Sequence, residues 1–146
     1  MAKVRDILDH KGREVACVER ERSVIEAARD MNRRRIGSLV VMDGQRVVGM
    51  FTERDILVRV VAEARDPNQV TVGQVMTEPV ICVGLETDLD ECKRLVTKRR
   101  IRHIPVVEGG TLVGLLTSGD IMARESMEHE VTIESLREYI AGPATH

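Results

Sequence analysis

The stretch "IGSLVVMDGQRVVGMFTERDI", residues 36–56, is echoed by "IRHIPVVEGGTLVGLLTSGDI", residues 101–121. The offset is 65 positions, and eight of the 21 aligned residues are identical: Ile36, Val41, Gly44, Val48, Gly49, Thr52, Asp55 and Ile56 with their counterparts. Many of the others match apolar to apolar, as Leu39 with Ile104 and Val47 with Leu112. A register held that long without a gap points to a duplication. The period is too long, and occurs too few times, for a solenoid unit.

Both copies share one grammar. In the first, "VACV" (Val15–Val18) reads as a short strand, and Val24, Ala27, Ala28 and Met31 recur at helical spacing behind Ser23. Ser23 with Glu26 three residues on forms a capping box. The second copy repeats this with Asp88, Glu91, Leu89, Cys92 and Val96. "SLVVMD" and "HIPVVE" are strands, Gly44 or Gly109–Gly110 turns the chain, and "RVVGMF" or "TLVGLL" returns as the hairpin partner. A second helix starts after Thr52 or Thr117. Each unit is therefore β-α-β-β-α, and the chain is an α+β (α/β) duplication. Its parts are a first repeat over residues 1–61, a linker over 62–69, a second repeat over 70–125 and a C-terminal helix and tail over 126–146. In that tail Ile133, Leu136 and Ile140 share a helical face, and Gly142–Pro143 ends it.

Composition narrows the function classes. Phe51 and Tyr139 are the only aromatic residues, so the core is aliphatic and no stacking platform for single-stranded nucleic acid is available. A net charge of −2 argues against a general nucleic-acid or membrane-surface binder. The three cysteines form no C-x-x-C pair, and none of the His, Asp and Glu residues has metal-ligand spacing, so no metal is expected. Cys17 and Cys82 hold equivalent strand positions, which reads as core packing. The opening "MAKVRDILDH" lacks an apolar targeting region, and no run approaches the ~18 apolar residues of a membrane span. The expected location is the cytoplasm. No nucleophile–base constellation is visible, so no enzymatic activity is expected.

The repeated Gly-h-h-Thr-x-x-Asp phrase, with h apolar, has two readings. Thr52 with Asp55, and Thr117 with Asp120, can each be a capping box and nothing more. Alternatively, a carboxylate at a helix N-terminus stays ionised and can accept both vicinal hydroxyls of a ribose. Gly49 and Gly114, just before the phrase, let another group approach the backbone closely. The clusters Arg33–Arg35 and Lys98–Arg100 read first as solvated helix ends, with cations at the negative pole of the dipole. Arg102 and His103 lie past the helix, at a strand entrance, where a guanidinium and an imidazole suit a phosphate. His103 can equally be a half-exposed strand residue.

The paired phrases and "RIRHIPVV" resemble a tandem pair of CBS domains, the family named for cystathionine β-synthase, from about Lys3 to Ile121. The resemblance implies two repeats related by a pseudo-two-fold axis, sheets packed face to face, and two clefts between them. Such clefts commonly hold adenosyl ligands: AMP, ADP, ATP, NAD(H) or S-adenosylmethionine. It implies a first cleft of Thr52, Asp55, Val80, Ile81, Arg102, His103 and Pro105, and a second of Thr117, Asp120, Val15, Ala16, Gly37 and Ser38. AMP is the first expectation. Gly37 and Ser38 stand where the second repeat has Arg102 and His103, so the second cleft is expected to be uncharged and roomier. A homodimer is also implied, packed through Ile56, Leu57, Val60, Val61, Ile121 and Met122, together with a protein partner that the sequence does not name. The reading is a regulatory module without chemistry of its own. The alternatives are a structural dimerisation or partner-interaction module with unoccupied clefts, and a small nucleotide-acting enzyme.

Overall fold

The computed structural model describes residues 2–141, with side chains described up to residue 129. The chain runs α1 (Val4–Lys11), β1 (Cys17–Glu19), α2 (Val24–Arg34), β2 (Ser38–Asp43), β3 (Arg46–Thr52), α3 (Glu53–Ile56), α4 (Val72–Val75), α5 (Leu89–Arg99), β4 (His103–Glu108), β5 (Thr111–Thr117) and α6 (Ser118–Ala141). A π-helical turn, Leu57–Val61, extends α3.

Local chemistry sets the boundaries. The Ser23 hydroxyl accepts the Glu26 N–H, and α2 then buries Val24, Ala27 and Met31. The helix ends at Arg35, which adopts the left-handed conformation. α5 repeats the pattern, burying Leu89 and Cys92 and ending at left-handed Arg100. Its start differs. The Asp88 carboxylate makes no cap bond and instead accepts from Lys3 Nζ at 3.2 Å. Each hairpin is antiparallel and carries a bulge at the equivalent place, after Val41 and after Val106. Gly44, Gly109 and Gly110 turn the chain with positive φ.

The two sheets are not equal. β1 pairs in parallel with β2, giving a three-stranded sheet, whereas β4 and β5 stand alone. The expected first strand of the second repeat is reduced to a single bridge, Val83 to Val106. The reason is local. The N–H groups of Gly84 and Leu85 go to the Thr87 hydroxyl and the Glu108 carboxylate rather than to a ladder. Cys17 and Cys82 are exposed, not packed in a core, because both side chains lie on the outer face of short or unpaired segments; Cys92 is the buried one. The helix after Thr117 and the C-terminal helix are one continuous helix, α6. The face formed by Ile133, Leu136 and Ile140, and the stop at Gly142–Pro143, lie outside the described residues.

Two hydrophobic cores result, and they exchange segments. The first holds Val24, Ala27, Met31, Leu39, Val41 and Phe51, completed by Val70, Val72, Val75 and Met76 from beyond the linker. The second holds Leu89, Cys92, Ile104, Val106, Leu116 and Ile121, completed by Val4, Ile7 and Leu8 of α1. Boundaries at residues 61 and 70 therefore do not separate the cores. Backbone bonds fix the exchange: Val4 N–H to Thr87 C=O at 3.0 Å and Arg5 N–H to Leu85 C=O at 2.9 Å on one side, Val72 N–H to Arg22 C=O at 2.8 Å on the other. The sheets meet where β3 lies against β5.

Candidate functional site

Thr52 and Thr117 are the last residues of β3 and β5, so each hairpin delivers its threonine to a helix start beside the sheet contact. Both phrases form capping boxes. The Thr52 N–H donates to Asp55 Oδ2 at 2.9 Å, and the Thr117 N–H to Asp120 Oδ2 at 2.9 Å. Beyond the cap the two carboxylates differ. Asp55 is 5% exposed and also accepts from the Thr52 hydroxyl (3.3 Å) and the Thr77 hydroxyl (2.9 Å). Arg59 lies nearby and binds the Val75 and Met76 carbonyls at 3.2 and 2.6 Å. Asp120 is more open, and its Oδ2 takes the Lys11 ammonium at 2.7 Å, which also reaches the Leu115 carbonyl at 2.8 Å. Burial alone would raise the Asp120 pKa. Lys11 and the Thr117 N–H and hydroxyl outweigh it and hold the carboxyl below its ordinary value.

A cavity of about 690 Å³ opens between the repeats beside Thr52. It brings together Thr52, Val80, Ile81, Arg102 and His103 of the expected first cleft. Asp55 and Pro105 are not on its wall. Asp55 lies beneath the two threonines, and Pro105 is buried in β4, where its carbonyl accepts the Val83 N–H. Gly37, expected in the second cleft, lines this one. Met50, Thr77, Pro79, Ile101, Arg54, Arg99 and Arg100 complete the wall with Glu53 as its one acidic residue. Arg54 sits inside the Thr-x-x-Asp phrase itself, where the second copy has Gly119. Arg99 and Arg100 had the signal of a basic cluster, read as a solvated helix end. Thr77 had none.

The four cavity arginines, Arg54, Arg99, Arg100 and Arg102, have no carboxylate partner and no side-chain hydrogen bond among the described residues. His103 is half-buried. Burial, then Arg102, then Lys11 push its imidazole below the ordinary histidine value, so it is neutral at pH 7.

The second cleft, about 580 Å³, is lined by Val15, Ala16 and Ser38 as expected, with Lys11, Glu14, Arg34, Ile36 and Leu115. Thr117 and Asp120 do not line it. Asp120 instead borders a groove between α1 and α6. This cleft is neither uncharged nor roomier than the first: Lys11, Arg34 and Glu14 lie on its wall. The expectation failed because α1, which carries Lys11 in from outside the repeat pattern, had not been read from the sequence. Of the apolar residues expected at a dimer face, Val60 and Ile121 are buried in their own cores, while Leu57, Val61 and Met122 are 62–65% exposed.

Among the described residues no helix is long and apolar enough to cross a membrane. Comparison with known proteins adds the following. The family model for the CBS domain matches twice, over residues 4–62 and 72–126. The chain is 34% identical over 125 residues to the CBS domain-containing protein CBSX3, mitochondrial, of Arabidopsis thaliana, covering 82% of this chain and 61% of that protein. It is 32% identical over 132 residues to Hypoxic response protein 1 of Mycobacterium tuberculosis, covering 90% of each. The crystal structure of the CBS-domain containing protein ATU1752 from Agrobacterium tumefaciens superposes with a TM-score of 0.78 at 35% identity, over 85% of this chain and 99% of that one. A hexameric CBS-CP12 protein from bloom-forming cyanobacteria superposes with a TM-score of 0.75 at 26% identity, over 96% and 85%.

Proposed function

Because the chain belongs to the CBS-domain family, we propose that it is a regulatory binding module whose first cleft receives an adenine nucleotide: AMP, ADP, ATP or NAD(H). The observation that carries this reading is the set of four unpartnered arginines around a cavity of about 690 Å³. Guanidinium groups gathered without a carboxylate bonded to them are stabilised by an anion, and their forked donors suit phosphate oxygens. Three further features support it. Val80 and Ile81 make no backbone hydrogen bond among the described residues, which leaves N–H and C=O groups for an adenine edge. The Thr52 and Thr77 hydroxyls both donate to Asp55 and keep acceptor capacity for ribose hydroxyls. Asp55 thus positions the threonines from beneath. His103 adds an imidazole at the phosphate end.

The module acts through shape. A ligand that touches both repeats favours the arrangement in which its contacts are complete, and the response is limited by its differential affinity for the two arrangements. The exposed apolar residues Leu57, Val58, Val61, Met122 and Met127 favour self-association as the element being tuned, with a homodimer as the smallest closed assembly.

Calorimetry tests the reading. AMP binds and adenosine binds more weakly. Arg102→Ala weakens AMP by about 1.5–3 kcal/mol, more than tenfold in affinity, with little effect on adenosine. No heat with AMP, ADP, ATP or NAD(H) at millimolar concentration overturns it.

A further inference from the structure

We infer that the first cleft is a polyphosphate site, selecting a nucleoside triphosphate over the monophosphate. The inference rests on the nucleotide reading of that cleft and adds to it the charge of the ligand. Arg54 comes from α3, Arg99 and Arg100 from the end of α5, and Arg102 from the entrance of β4, so the cations converge from both repeats. Glu53 supplies the one acidic side chain on the wall. The cavity therefore holds a surplus of positive charge that a monophosphate, with about two negative charges at pH 7, leaves unmatched. The surplus is about three, four arginines less Glu53; a triphosphate chain, with about four negative charges, leaves none of those cations unmatched.

Comparison of the repeats shows why the charge is free in one cleft only. In the first repeat the helix-end cations are neutralised: Arg33 and Arg34 both reach Asp30, at 3.3 and 3.2 Å. The position equivalent to Asp30 in the second repeat is Leu95, which packs against the second core. Arg99, the equivalent of Arg34, thereby loses its carboxylate, and it lines the first cleft beside Arg100. The second cleft has no such surplus. Its Arg34 is held by Asp30 and its Lys11 by Asp120, and Glu14 adds a negative charge.

The experiment is titration calorimetry of the full chain in EDTA at two salt concentrations, with AMP, ADP, ATP, GTP and inorganic tripolyphosphate. Affinity is expected to rise from AMP through ADP to ATP by about tenfold or more in total, as two or more charge-assisted contacts are added. Tripolyphosphate alone is expected to bind and to compete with ATP. Salt is expected to weaken ATP more steeply than AMP. Arg54→Ala and Arg99→Ala are expected to lower the ATP-to-AMP affinity ratio at least threefold, while Arg33→Ala, on the opposite cluster, leaves it unchanged. AMP binding as tightly as ATP overturns the inference and leaves the nucleotide reading standing. Tripolyphosphate binding with ATP no tighter than tripolyphosphate, or GTP equal to ATP, supports the polyphosphate site and overturns the adenine reading. Loss of ATP binding in Arg34→Ala but not in Arg54→Ala or Arg99→Ala overturns the assignment to the first cleft.

Discussion

Asp120 and Asp55 show how one motif position takes two electrostatic roles. Asp120 is held below its ordinary pKa by Lys11 and Thr117 against the opposing effect of burial. A carboxyl depressed in the folded state contributes stability that is present above its unfolded value, 3.8, and lost as pH falls through the folded one. Melting followed below pH 4 is expected to show this acid-sensitive limb in the native chain and a flatter one in Lys11→Met; equal limbs would remove Lys11 as the cause. Asp55, by contrast, accepts from the Thr52 N–H and from two hydroxyls while almost wholly buried. Asp55→Asn turns an acceptor into a donor facing donors. The ligand-free protein is expected to lose about 1–3 kcal/mol in denaturant unfolding, and AMP to bind more weakly as well, because Thr52 and Thr77 lose the acceptor that positions them. Tenfold weaker AMP with an unchanged unfolding midpoint would place the carboxylate on the ribose instead. His103 supplies a third case. Its imidazole is lowered by burial first and then by Arg102 and Lys11, so the unfolded chain takes up its proton first, and acidification below 6.5 destabilises the fold. A phosphate beside it reverses that bias. Histidine proton resonances titrated with and without ATP are expected to show the His103 midpoint moving upward on binding.

At the scale of elements, the glycines before the two phrases answer to different neighbours. A Cβ at Gly49 would stand 2.6 Å from Met76 Sδ and 2.9 Å from the Thr77 carbonyl oxygen. One at Gly114 would stand 2.5 Å from Leu8 Cδ1, with Cδ2 and Cγ of the same side chain next. A side chain can turn aside where a carbonyl in a hydrogen-bonded pair cannot: Met50 and Thr77 exchange backbone bonds at 3.0 and 2.7 Å. Both alanine variants are expected to destabilise by about 1–3 kcal/mol, Gly49→Ala more than Gly114→Ala, read from unfolding midpoints. The reverse order would show that the tightly buried Leu8 is the stiffer neighbour. These elements were legible because periodicity and turn chemistry act within a few residues: the stripes of α2 and α5, both hairpins and the helix starts follow from local sequence. What was not legible depends on partners far along the chain. Val4, Ile7 and Leu8 carry helical spacing, yet α1 is stabilised by the second repeat, and nothing near residue 8 says so. Thr77 and Lys11 reach Asp55 and Asp120 by the same exchange, which is why the site's first residues could be named and its closing contacts could not. The missing strand before Val83 follows from side chains that capture two backbone N–H groups, an outcome that alternation of apolar residues does not encode.

For the whole molecule, the apolar residues left outside are the ones that ask for a partner. Leu57 and Val61 are 62% and 64% exposed on the π turn, beside buried Val60. Leu57→Glu combined with Val61→Glu is expected to give a monomer by light scattering at micromolar concentration, with the melting of the chain's own cores retained. An unchanged mass would move any interface elsewhere. The crossing of terminal segments between cores also sets a timetable for synthesis. Leu8 leaves the ribosome about 110 residues ahead of Ile121, with which it shares a core. At roughly 5–20 residues per second, the apolar stripe of α1 waits on the order of ten seconds for its destination to exist. During that interval the first repeat can close once residue 76 has emerged, while α1 remains an unclaimed apolar segment upstream of it. Closing it onto the second repeat is a late, long-range contact, the kind that slows folding.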